Sequence, residues 1–295
     1  MIYLLLSILT ASGLNILFKI FGHRSMDLFK VIMVNYIVCF LIGQFFSPTP
    51  IGWTEMLEAR WFSYAAVLGI IFIVGFNIIA QTVHYFGITL ATVMQKMSLL
   101  ISVIFAILYF GEGVSFLKII GLILALLSIL LITKREKKEV TASSAKERYR
   151  HLYLPIFTFL LSGLIDSMLL FLSKRGIVLT TDPHFITVLF GMAAVSAGLY
   201  YLYLRVLKKI ENLTMGELLA GIILGSINYF SIYFILRLLQ TGWDGSILFP
   251  MNNIGILVVS AIAGIVFFKE GLRRWNWLGL LLALMALAIL GYEGV

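Results

Sequence analysis

The sequence predicts an all-α integral membrane protein with ten transmembrane helices in two inverted five-helix repeats. Three observations carry this. The 295 residues are 61% hydrophobic and only 12% charged, with a mean hydropathy of +1.04. A soluble domain of this size would carry about a quarter charged residues and could not hide so much apolar surface. Ten segments reach the roughly 20 apolar residues that a helix needs to cross a bilayer. Finally, residues 111–132 align with residues 269–290 without a gap, at an offset of 158 and with seven identities. The shared core is Glu112-Gly113 with Gly121-Leu122, matched by Glu270-Gly271 with Gly279-Leu280.

The ten spans cover residues 2–20, 28–46, 62–83, 89–110, 114–133, 152–173, 185–207, 216–239, 245–268 and 273–291. The first has the apolar run of a secretory signal but no basic start, and nine spans follow, so it reads as a retained helix. Gly111-Glu112-Gly113 and Lys269-Glu270-Gly271 make tight turns between spans 4 and 5 and between spans 9 and 10. One connection is different. Residues 134–151 (KREKKEVTASSAKERYRH) are polar and basic and read as a solvated linker. They divide the chain into a first repeat, 1–133, and a second, 152–295. Each repeat has an odd number of spans, so the second enters the membrane from the opposite side and the repeats are inverted. Ser12-Gly13-Leu14 in span 1 also matches Ser162-Gly163-Leu164 in span 6. Asn212-Leu213-Thr214 fits a glycosylation sequon, a pattern common by chance.

Basic residues set the orientation. With the linker in the cytoplasm, the inner side receives Lys19, Arg24, Lys30, the seven basic residues of the linker, Arg205, Lys208, Lys209, Lys269, Arg273 and Arg274, sixteen in all. The outer side receives Arg60, Lys118, Lys174, Arg175 and Arg237, five in all. The positive-inside rule then places both termini outside. The net charge of +8 is thus explained by membrane orientation, and no nucleic-acid partner is expected.

Ionisable groups inside a span are costly and mark pathways or fixed pairs. Lys96 in span 4 and Asp166 near the middle of span 6 are the clearest. They have two readings: a substrate or proton site, or an ion pair that fixes helix packing. The long lysine stem can span the difference in depth between them. A layer of amides accompanies them: Asn15, Asn35, Asn77, Gln81, Gln95, Asn228, Asn252 and Asn253. Amides also glue helices together, so packing competes with binding at each. The offset of 158 pairs Gln95 with Asn253 and Lys96 with Ile254, so spans 4 and 9 carry polar groups at matching positions but only one carries a cation. Pro250, just before Asn252-Asn253, predicts an interrupted helix that frees carbonyls toward a ligand; a simple kink is the other reading. The candidate site residues are therefore Lys96, Gln95, Asp166, Asn77, Asn15, Asn228, Asn252 and Asn253.

Other chemistry has little support. Glu112 and Glu270 lie where a carboxylate starts the next helix or bonds across the turn, a structural role. Trp53, Trp61, Trp243, Trp275 and Trp277 lie near span ends, as interface anchors do. There is no phosphate-binding glycine loop with its lysine, no HExxH, and one cysteine, Cys39; the four histidines lack ligand spacing. This argues against an ATP-driven pump and a membrane metalloprotease, and no cofactor is expected.

The stretches GEGVSFLKIIGLILALLSILLI (111–132), KEGLRRWNWLGLLLALMALAIL (269–290) and SGLNILFK (12–19) resemble the EamA-type branch of the drug/metabolite transporter superfamily. The resemblance covers ten spans and both repeats. It implies export or exchange of small metabolites, such as amino acids, across the cytoplasmic membrane, with helices of both halves lining a central cavity. It also implies cytoplasmic termini, opposite to the charge count. The chain departs from the family pattern in having Gly13-Leu14-Asn15 where Gly-Ser-Asn is usual, and Gln95-Lys96 without a proline in span 4.

The expected function is secondary transport of a small polar or amphipathic metabolite by alternating access. Its partners would be the substrate, the lipid bilayer and a coupling ion or proton. The alternatives are a flippase for a lipid-linked head group, a membrane-embedded enzyme, and a sensory or structural membrane protein without flux.

Overall fold

The computed structural model describes residues 2–23, 26–47, 53–86, 88–133, 151–178, 183–207, 209–268 and 273–294. Linker residues 134–150 and Lys269-Glu270-Gly271 lie outside them. The described residues form twelve helices: α1 (Ile2–His23), α2 (Leu28–Phe46), α3 (Trp53–Glu58), α4 (Phe62–Phe86), α5 (Ile88–Met97), α6 (Leu99–Phe110), α7 (Phe116–Ile132), α8 (Tyr153–Lys174), α9 (His184–Val206), α10 (Met215–Leu239), α11 (Gly245–Phe268) and α12 (Arg274–Glu293). The short α3 lies between spans 2 and 3, and α5 with α6 makes up span 4. Nine segments are long and apolar enough to cross a membrane, and α7 is a shorter apolar helix. At about 1.5 Å per residue its 17 residues rise about 26 Å. The protein is an all-helical membrane protein of ten spans.

Two compact units form, and neither follows chain order. The first holds residues 1–74 and 172–240; the second holds 75–171 and 241–295. Each takes helices from both sides of the linker, so sequence repeat and compact unit are different divisions of the chain.

In the first unit α2 packs along α10 and α9, and α1 along α10. Its starts are tied by a buried ion pair. Lys30, 4% exposed, donates to Glu217 Oε1 and Oε2 at 3.2 and 3.3 Å and to the Asn212 carbonyl at 3.1 Å. Glu217 also accepts from the Thr214 and Asp27 amides, and Thr214 Oγ1 accepts from the Glu217 amide, which completes a capping box. Asn212 and Thr214, the sequon residues, are thus both engaged in this latch. Trp61 is buried edge-on against Phe185 rather than anchored at the membrane interface. Trp275 and Trp277 in the second unit are exposed, as anchors are.

In the second unit α7 packs along α12. The offset of 158 pairs Gly121 with Gly279 and Ile132 with Leu290. A Cβ on Gly121 would lie 2.8 Å from Leu290 Cγ, and a Cβ on Gly279 would lie 2.7 Å from the Ile132 nitrogen. Each contact is the other's image, so a pseudo-twofold axis relates the helices. The partner's number falls as the residue's own number rises, so the helices are antiparallel and the axis crosses them at right angles. That is an axis in the membrane plane, the geometry of an inverted repeat. Midway along stand Ala125 and its mate Ala283, both fully buried, where small residues let the backbones approach.

The repeated turn works as a clamp. Gly111, with φ of 67°, ends α6 in the left-handed region, and the Gly111 and Glu112 amides return to the carbonyls of Ile107 and Ala106. This aims Glu112 at the start of α11. Its carboxylate accepts from the Gly245 and Ser246 amides, each at 2.8 Å, and from Ser246 Oγ at 2.6 Å. Lys118, 2% exposed, donates to the Gly113 carbonyl, Asp244 Oδ2 and Ser246 Oγ at 2.7 to 2.9 Å. The expected structural role of Glu112 is this cap.

The expected interruption at Pro250 is absent: α11 runs unbroken from Gly245 to Phe268. Proline removes only the bond to the Ser246 carbonyl in the first turns, and Glu112 and Lys118 hold those turns from outside. The break falls in span 4 instead. Ser98 Oγ takes the Gln95 carbonyl at 2.6 Å, and the Ile101 amide bonds the Ser98 carbonyl at 2.9 Å, a tighter i to i+3 step.

Candidate functional site

Lys96 stands in the last turn of α5, one residue before that helix ends and two before Ser98. The helix's carbonyl end favours a cation there. Its Nζ donates to Asn253 Oδ1 of α11 at 3.1 Å. The bond crosses from one repeat to the other, and Asn253 is the mate of Gln95, next to Lys96 in the chain. In a twofold pair a residue meets its own mate only beside the axis, so this bond lies beside the pseudo-twofold axis. Ile254, the mate of Lys96, is fully buried and apolar. The site is asymmetric at a symmetric place.

Asp166 lies in α8 of the same unit and interacts electrostatically with Lys96. Among the described residues the two are not within the 4.0 Å of an ion pair, so they do not form the fixed pair that was one reading of the sequence. Both are half-buried. Asn252, beside Asn253, is 9% exposed, and its Oδ1 has no hydrogen-bond partner among the described residues. The same is true of Ser167 Oγ, next to Asp166. Gln95 contributes its carbonyl to the Ser98 break. Asn77 is half-buried in the part of α4 that belongs to the second unit. Asn15, exposed on α1, and Asn228, half-buried on α10, belong to the first unit.

The structure therefore joins Lys96 to Asn253, with Asn252 adjacent in the chain and Asp166 on α8 of the same unit. Of the polar clusters, the sequence reading did not include Ser98, Lys118 with Asp244 and Ser246, or Lys30 with Glu217. Thr214-x-x-Glu217 is a readable capping-box pattern, and Ser115 is a readable N-cap for α7.

The model of the EamA-like transporter family matches residues 1–134. That stretch is the first of the two repeats, and there the chain is similar to the family. The chain is similar to an uncharacterized protein of Haemophilus influenzae, with 26% identity over 98% of this chain and 97% of the relative. A solved crystal structure shares its fold with a TM-score of 0.74 and 14% identity, over 99% of this chain and 96% of that one.

Proposed function

We propose that this protein belongs to the EamA-like transporters and is a secondary transporter that moves a small polar or amphipathic metabolite across the cytoplasmic membrane by alternating access, as an exporter or exchanger. The observation that carries the reading is the Lys96–Asn253 hydrogen bond: a lysine within a spanning segment, at a helix break and beside the repeat axis, held by one amide. A charge in that position costs several kcal/mol unless it serves a pathway or is paired, and Lys96 has no contact ion pair with Asp166. A proton or another ion would couple the cycle through the same charges. The test is counterflow in proteoliposomes against a metabolite panel. Lys96→Met should insert and fold normally and lose the flux. Unchanged flux of an identified solute through Lys96→Met would remove Lys96 from the path.

A further inference from the structure

We infer that the Lys96 site is a receptor for one carboxylate, and that it accepts small molecules of total charge −1 or zero while rejecting dianions and cations. The inference rests on the transporter reading above for its biological use, but its binding chemistry stands on this unit alone.

An ammonium carries three donors, and the hydrogen bond described for Lys96 uses one of them, toward Asn253 Oδ1. Asn253 is an uncharged acceptor and gives up a lysine far more readily than a carboxylate does. The remaining donors suit a carboxylate, and the amide groups of Asn252 and Asn253 add neutral donors and acceptors to orient it. Asn252 Oδ1, buried and unpartnered, points to a polar ligand, since such atoms are otherwise costly.

Charge balance sets the class. Lys96 supplies one positive charge, Asp166 of α8 in the same unit can supply one negative charge, and the matching position in the second repeat is Ile254. A monoanion on Lys96 leaves one net negative charge, and a zwitterion leaves none, because its cationic group can face Asp166. A dianion leaves two negative charges with no second cation in a region of low dielectric, which is strongly unfavourable. A cation without a carboxylate offers the Lys96 ammonium no acceptor and so does not occupy the carboxylate receptor, whatever its attraction to Asp166.

The experiment is competition labelling of the purified protein in nanodiscs. Lysines are reductively methylated with formaldehyde and cyanoborohydride, and each site is quantified by peptide mass spectrometry. Lactate, alanine as its N,N-dimethyl derivative (a zwitterion that does not consume the formaldehyde), succinate and choline are added at matched ionic strength. Lactate or alanine should slow modification of Lys96 by about threefold, the factor for a ligand at twice its Kd, and leave Lys19 and Lys174 unchanged. Succinate and choline should not slow it. Asp166→Asn removes one negative charge, and succinate should then protect Lys96 as lactate does. Equal protection by succinate in the unaltered protein overturns the inference. So does absence of protection by both lactate and alanine, failure of Lys96 to react at all, or succinate still excluded in Asp166→Asn. Protection with the expected selectivity but no counterflow of any solute would leave the receptor standing and sink the transport reading. Flux that survives Lys96→Met, in a protein showing the expected protection, would instead separate this receptor from the transport path.

Discussion

Lys96 donates its hydrogen bond to Asn253, the residue that the 158-residue offset pairs with Lys96's own neighbour Gln95. The bond thus joins the two repeats where they are related to each other, and only one of them supplies a charge. Duplication builds a symmetric frame, of which the reciprocal Gly121–Leu290 and Gly279–Ile132 contacts are the plainest sign. A substrate is not symmetric, so a site at the axis must diverge, and positions 95–96 and 253–254 have done so.

Two of the lysine–carboxylate pairs should behave oppositely. Lys96 and Asp166 are not in contact, so a double-mutant cycle of Lys96→Met and Asp166→Asn should give a coupling of at most about 1 kcal/mol in thermal or denaturant unfolding. A coupling of about 3 kcal/mol or more would make them a structural pair and weaken the transport assignment.

Lys30 and Glu217 are in contact and buried. Lys30→Met should cost about 3–5 kcal/mol, because it strands a buried carboxylate. Glu217→Leu should cost at least as much. The Lys30→Met, Glu217→Leu double variant should recover most of the pair penalty but stay about 1 kcal/mol below the unaltered protein, since the capping box at Thr214 is still lost. Full recovery would show that the cap contributes nothing.

The paired glycines should not tolerate alanine equally. At Gly121 the new methyl meets Leu290 side-chain carbons, which can move; at Gly279 it meets the Ile132 nitrogen at 2.7 Å, which cannot. Both changes overpack the interface, at about 1–3 kcal/mol. Gly279→Ala should lie at the upper end. Leu290→Ala should rescue Gly121→Ala, and Ile132→Ala should not rescue Gly279→Ala. Equal melting losses, or rescue in both cases, would contradict this packing.

The ten spans and the repeat were legible because hydropathy and offset are properties of the chain alone. Lys96 and Asp166 were legible for the same reason, as charges in apolar runs. The helix break was not. Pro250 was the visible signal, but Glu112 and Lys118 hold the turns before it from a distant part of the chain, while Ser98 breaks span 4 by taking a carbonyl of its own helix. Lys30 and Lys118 counted as orientation signals, yet both are buried, because their partners lie 187 and 126 residues away in the chain. Asp166 could be placed by depth, but its separation from Lys96 depends on side-chain directions that depth does not give.

The orientation is tested outside the fold. The sixteen-to-five count of basic residues predicts external termini, whereas likeness to the family implies cytoplasmic ones. A reporter fused after Val295 that is active only in the cytoplasm should be silent. Activity would show that the basic-residue count does not set the orientation of this chain.

Glu112 gives the last prediction. It satisfies the Gly245 and Ser246 amides and the Ser246 hydroxyl, in the turns just before Pro250. Pro250 has no N–H, so these turns have one bond fewer to hold them to the rest of α11. Glu112→Ala leaves three buried donors without their acceptor, which should cost at least about 2 kcal/mol. Glu112→Gln keeps the shape and one carbonyl oxygen, and should cost less. Hydrogen exchange should localise the effect: in Glu112→Ala the amides of Ile247, Leu248 and Phe249 should exchange faster, and those after Asn253 should keep their protection. Unchanged exchange before Pro250 would show that α11 does not need the clamp. Loosening that extends past Asn253 would show that the clamp also positions the acceptor of Lys96.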